Sequence, residues 1–192
     1  MRTLSLTLVA CLAFSALMLG QEKMMEQPAG VRGSFLKQSK QVEEQLVSLA
    51  QAIPQKDFTW RPMKGVRSVS EAFLHVALGN YAVLTTLGGT LPEGVDMKTM
   101  QTSTTDRGKI VEELKKSFQA IDDCISKVPE QEYSQQVKFF GMDMTKLDMI
   151  FLAATHQHET LGQAIAYART KHVTPPWTAE MQAKMKQEQR NK

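Results

Sequence analysis

Cysteine is nearly missing from this chain of 192 residues, which carries only Cys11 and Cys124. Cys11 falls within the first twenty residues, which read as a removable leader, so Cys124 stands alone and no internal disulfide can form. Packing must hold the fold. Cys124 sits in AIDDCISKV at helical spacing with Ile121 and Ile125, the setting of a small buried hydrophobe rather than a reactive thiol. An excess of one charge is lacking too. The 23 basic and 20 acidic residues leave a formal +3 spread along the chain, with no basic block and no basic stripe interleaved with aromatics. That pattern argues against nucleic acid as a partner. There is no Gly-rich phosphate loop, no motif for a Ser-His-Asp or Cys-His nucleophile, and no Glu-x-x-His pair. The last absence excludes a ferritin-like di-iron site. What remains, 42% apolar and 22% charged, is the composition of one ordinary globular domain large enough to bury a sizeable core.

The leader is the first positive feature. Arg2 supplies a minimal positive start, Leu4 to Leu19 is apolar except for small Ser and Thr, and the polar QEKMMEQPAG follows. This is the pattern of a secretory signal peptide over residues 1–20, cleaved near Gly20, and implies an exported protein, periplasmic or secreted. The apolar run is short for a spanning helix and has no positive stop, so no membrane span is expected after cleavage. LVAC, Leu8 to Cys11, has the form of a lipoprotein box, but too few apolar residues precede it.

Periodicity predicts an all-α protein, a four-helix bundle over residues 33–176. The first helix spans about Ser34 to Ile53, with Phe35, Val42, Leu46 and Leu49 on one face and Pro54 as its stop. The second opens at Ser68 with the capping-box form Ser-x-x-Glu and runs to Leu87. The third covers roughly Asp106 to Val128 and ends at Pro129; the fourth covers Thr145 to Lys171. Residues 88–105 form a long connection between helices two and three. VKFFGMDMT reads as a short extended piece with no convincing sheet. The charged tail, residues 177–192, has few apolar positions and reads as a mobile or weakly helical end.

The histidines carry the functional question. His75 lies in a helix that is apolar on most sides and so faces the bundle interior, where an imidazole needs a hydrogen-bond partner or a metal. His156 shares a face with Leu152, Thr160, Gln163 and Tyr167. His158 is about 200° further round the helix and faces solvent, and His172 belongs to the helix end. Two imidazoles from two helices fall short of the three protein ligands of a zinc site, with Glu159 and Thr160 as the neighbours for a third position.

At these residues the chain resembles the DinB-like (DinB/YfiT) superfamily of four-helix bundles. FTWRPMKGVRSVSEAFLHVALGNY resembles the W-x-P segment and the Ser-initiated helix with its first histidine. HQHETLGQAIAYARTKHVTPP resembles the closing motif, a His-x-x-x-His helix that ends at Pro-Pro. The resemblance covers nearly all of the chain after the leader, roughly Gly33 to Pro176. It implies a homodimer and a divalent metal, zinc or nickel, held by three histidines. The first falls on His75, the second on His156 and the third on Thr160, a poor ligand for either ion. It also implies thiol S-transferase or maleylpyruvate isomerase-like chemistry, in which the metal activates a thiol or water.

Two classes of function follow. One is a metal-dependent enzyme in which His75 and His156 hold the ion, with Glu159, a water or a group from a partner completing the shell. The other is a catalytically silent bundle that binds a small ligand or acts as an interaction module. The leader reading has its own check. Intact-mass analysis of protein exported by its host should show cleavage near residue 20, whereas a lipid adduct on Cys11 would establish the lipoprotein alternative.

Overall fold

The computed structural model describes residues 30–191; the signal-peptide and Cys11 readings therefore lie outside the described residues. Four long helices make the bundle: α1 (Gly30–Ala52), α2 (Val69–Thr86), α3 (Arg107–Lys127) and α4 (Lys146–Thr170). Their ends sit where local chemistry places them. Ser68 and Glu71 form the expected capping box on α2, with Ser68 N donating to Glu71 Oε2 at 2.9 Å. Thr145 and Asp148 do the same for α4, and the Asp106 side chain caps α3. Pro54 and Pro129 follow the ends of α1 and α3.

Helix directions follow from the contacts at the two ends. Arg32 Nη1 donates to Ser126 O at 3.0 Å and Arg107 Nη1 to Gln51 O at 3.3 Å, so α1 and α3 are antiparallel. Gln157 Nε2 donates to Asn80 Oδ1 at 3.0 Å and Tyr167 Oη to Arg67 O at 3.2 Å, so α2 and α4 are antiparallel as well. α2 and α3 are neighbours that run the same way. The chain must return the length of the bundle between them, which is why the connection after α2 is long. Its 3-10 turn, Met100–Thr102, buries Met100 against α2.

The core has two apolar halves. One gathers Val42, Leu46, Phe58, Phe73, Leu114 and Phe118; the other gathers Phe35, Tyr81, Ile121, Ile125 and Ile150. A buried polar layer lies between them. Asn80 Nδ2 donates to Ser117 Oγ at 3.2 Å, Ser117 Oγ donates to Leu114 O at 2.8 Å, and Gln157 bonds Asn80 from α4. Each polar group finds its partner on a neighbouring helix or turn, so the layer sets the helix register without an unpaired group.

Three expectations need correction. The extended piece is a hairpin, β1 (Gln136–Phe139) paired antiparallel with β2 (Met142–Thr145). Its two-residue turn, Phe140–Gly141, has positive φ at both positions, 48° and 83°. Asn-Gly is the usual sign of such a turn, and a bulky, 84% exposed Phe in the left-handed region gives no sequence signal. The tail, read as mobile or weakly helical, is a helix that packs. α5 (Pro176–Arg190) opens with Pro at its first turn, is rich in strong helix formers, and packs Trp177 against the core. Cys124 is half-buried rather than buried. It lines a surface cavity of about 600 Å³ with Leu84, Lys127 and Lys146, and burial raises its thiol pKa. Among the described residues no helix is long and apolar enough to cross a membrane.

Asp122 faces α1, where its Oδ1 accepts from Ser39 Oγ at 2.7 Å. Burial, opposed by the Ser39 bond and reinforced by Glu43 and Asp123, pushes its pKa up to about 6. The folded state therefore holds this proton more tightly than the unfolded chain. The stabilisation is present below the ordinary carboxylate range and is lost as pH rises through about 6. Asp122→Asn should raise Tm by about 2–4 °C at pH 8, on the order of 1 kcal/mol, with the gain vanishing toward pH 4. Thermal melts at the two pH values check it.

Candidate functional site

His75 and His156 meet midway along the α2–α4 interface, with Nε2 to Nε2 at 3.2 Å, ring centroids 4.9 Å apart and the rings at 72°. One imidazole donates and the other accepts. Burial, then the charge of Arg67, then His156 lowers the pKa of His75 to about 4. Burial also lowers that of His156, with Glu159 pulling the other way and Arg67 adding to the drop. The pair is uncharged at neutral pH.

A glycine makes the approach of the rings possible. Gly79 lies one turn after His75, and a Cβ built on it would stand 2.2 Å from His156 Cε1 and 2.4 Å from Nδ1. The His156 ring thus lies against bare α2 backbone. Glycine inside a helix costs about 1 kcal/mol relative to alanine, and here that cost makes room for an imidazole from another helix. Nothing in the periodicity marked Gly79 as part of the site. The signal was a lone glycine in a helix interior, one turn from a histidine on a mostly apolar helix.

The cleft over the pair is about 110 Å³ and is lined by Arg67, His75, His156, Glu159, Thr160 and Gln163. Thr160 faces it, but its Oγ1 donates to His156 O at 2.8 Å, a bond within its own helix. Glu159 is exposed at the rim, and His158 is exposed on the other side of α4. His172 ends α4 with φ 59°, the left-handed conformation of a helix end. Arg67 was not foreseen. It immediately precedes the Ser68 cap, and the Tyr167 hydroxyl bonded to its carbonyl anchors its backbone. Tyr167 in turn meets Trp60 edge-on, 5.7 Å between centroids, and Lys171 lies 5.5 Å over the Trp60 ring while bonding Asp57 at 3.0 Å. The W-x-P segment and the end of α4 are therefore one packed unit that holds the mouth of the cleft.

The geometry resolves the metal question into parts. Two Nε2 atoms 3.2 Å apart match the edge of a tetrahedral zinc shell, about 3.3 Å for two bonds near 2.05 Å. The other features do not fit. Among the described residues no group of three His, Cys, Asp or Glu side chains converges on one point. His75 Nδ1 is buried and bonds no group among the described residues, whereas a ligating imidazole has its second nitrogen held by a carboxylate, carbonyl or water. Arg67 lines the same cleft, and its positive charge is felt by both imidazoles.

The DinB family model matches residues 25–191, almost the whole chain. The chain belongs to the DinB family. Solved structures agree on the fold. A DinB-like protein from Bacillus cereus superposes with TM-score 0.64 at 16% identity, over 74% of this chain and 93% of its own. Another from Bacillus subtilis gives 0.58 at 12% identity, over 73% and 94%. No curated protein matches in sequence. On this fold His75 and Gly79 lie on α2, His156 lies on α4, and Arg67 lies just before the Ser68 cap of α2.

Gly79→Ala tests the cradle. Alanine would ordinarily stabilise a helix interior, yet here its methyl must push the His156 ring away and break the pair. We expect a net loss of about 1–3 kcal/mol in chemical denaturation, with the histidine ring resonances shifted in NMR spectra. A gain in stability would mean the ring does not rest on this backbone.

Proposed function

We propose that this is an exported DinB-family protein, dimeric as the family resemblance implies, whose His75–His156 pair is a degenerate divalent-metal site. Two of the three ligands are kept, the third position is Thr160, and the bundle acts as a small-ligand binding module rather than as a metal-dependent enzyme. The observation that carries this reading is the cleft lining: a threonine committed to its own helix backbone and a guanidinium stand where a third donor is needed. A fixed positive charge beside two neutral imidazoles opposes a second cation. Zinc or nickel held by two protein ligands would also exchange readily, since structural and catalytic sites use three or more.

In a reactive site of this kind the metal would activate a water or thiol. The residues present favour other work. The histidines bond each other, Gly79 accommodates them, and Tyr167 with Trp60 positions Arg67 over an opening wide enough for a few atoms. These are the features of a preformed polar pocket that recognises rather than transforms.

Zinc and nickel titrations of the parent and of Thr160→His test the proposal by calorimetry. An i, i+4 histidine pair puts both rings on one helix face, with His75 opposite. The variant should bind about 100-fold more tightly than a weakly binding parent. Tight binding by the parent that Glu159→Ala abolishes would mean a rebuilt site and would favour the enzyme. Failure of both proteins to bind would make the histidines core residues only.

A further inference from the structure

Arg67 is half-buried, lines the cleft over the histidine pair, and has no salt-bridge partner among the described residues. Such an arginine remains free to pair with an anion that enters the cleft. Its backbone is held from behind, and its side chain has one long contact. Its carbonyl accepts from Tyr167 Oη at 3.2 Å and its Nε donates to Gln101 Oε1 at 3.4 Å. Both terminal nitrogens are left without a hydrogen-bond partner among the described side chains and backbone. They form the planar fork that matches the two oxygens of a carboxylate.

We propose that the cleft formed by Arg67, His75, His156, Thr160 and Gln163 is a binding site for the carboxylate head of a small organic acid, with Arg67 as its anchor. The proposal rests on the reading of the pair as a degenerate metal site, and it names the ligand that such a pocket takes. The room is about 110 Å³, the share of roughly three to four waters. It admits a carboxylate and one or two carbons, while a longer acid extends past the exposed rim. Gln163, whose amide makes only a long bond of 3.4 Å to Tyr167 Oη, can turn a donor toward the second oxygen. The uncharged imidazoles form the floor. Glu159 is the one acidic side chain in the lining. It stands at the rim, makes no ion pair with Arg67, and weakens an anion's binding by repulsion. Two oxygens of either a carboxylate or a phosphate match the fork; the two further oxygens of phosphate and its higher charge beside Glu159 favour the carboxylate in so narrow a cleft.

The test is a titration of the full mature protein with sodium acetate at constant ionic strength, with sodium chloride and inorganic phosphate as parallel probes. Histidine ring and arginine Nε–H resonances report on the cleft. We expect saturable shifts with acetate at a Kd of about 1–10 mM, within reach of a ligand of four heavy atoms. Chloride should give no saturable shift, and phosphate should bind at least about fivefold more weakly than acetate. Arg67→Met should weaken acetate at least about tenfold, and Arg67→Lys, a point charge without the fork, by less. Glu159→Gln should tighten it about twofold to threefold, a readout that does not depend on how well the Arg67 variants fold. The site is overturned if acetate gives no saturable shift up to about 50 mM, if the shift survives intact in Arg67→Met, if Glu159→Gln weakens binding, or if phosphate binds better than acetate. Zinc separates this failure from that of the parent reading. Acetate binding without metal supports the proposal whatever zinc does. Acetate binding only in the presence of zinc overturns it and the degenerate-site reading together, because the carboxylate would then be a metal ligand. Tight zinc binding with unchanged acetate affinity overturns only the degenerate-site reading.

Discussion

The contact between the His156 ring and the bare backbone at Gly79 sets how α2 and α4 sit against each other. A Cβ at that position would stand 2.2 Å from the ring, so the helices meet closely because one residue has no side chain there. The rest of the middle of the bundle follows from this approach. His75 comes within 3.2 Å of His156, and one residue further along α4 Gln157 reaches Asn80, which reaches Ser117 on α3. Three helices are thus registered by polar bonds in a plane between two apolar halves. An apolar layer of equal volume would tolerate sliding by a turn, whereas paired amides and imidazoles do not, since a slip would leave each group buried and unpaired.

Charge then decides what such a layer can do. Burial and the nearby Arg67 together lower the proton affinity of both imidazoles, so the pair presents a neutral donor and acceptor with a fixed positive charge beside it. The placement of that charge is itself structural. Trp60 packs on Tyr167, Tyr167 holds the Arg67 carbonyl, and Lys171 ties the end of α4 to Asp57 and Trp60. The two stretches that resemble the DinB pattern are far apart in sequence and touch each other in the fold. Members of one fold can keep such a frame while exchanging the groups over a cleft.

Much of the fold was legible because its signals are local. Helix lengths came from the 3.6 period, and their ends from Ser68, Asp106 and Thr145 and from Pro54 and Pro129. The hairpin and α5 were not. The hairpin turn is made by Phe140, a residue that no turn preference favours, and α5 has too few apolar positions to read as packed. The half-burial of Cys124 was equally hidden. Helical spacing tells which residues share its face but not whether a neighbouring helix covers that face completely.

At the site the division is sharper. Sequence by itself determined that His75 faces inward from α2, that His156 shares a face with Thr160 and Gln163, and that His158 does not, because these depend only on helical geometry. Tertiary structure alone decided that the two imidazoles touch, that Gly79 is the surface on which one of them lies, and that Arg67, eight positions from His75 along the chain, closes over both. Helix periodicity fixes angle around an axis, but the distance between axes and the reach of a side chain across them are set only when the helices pack.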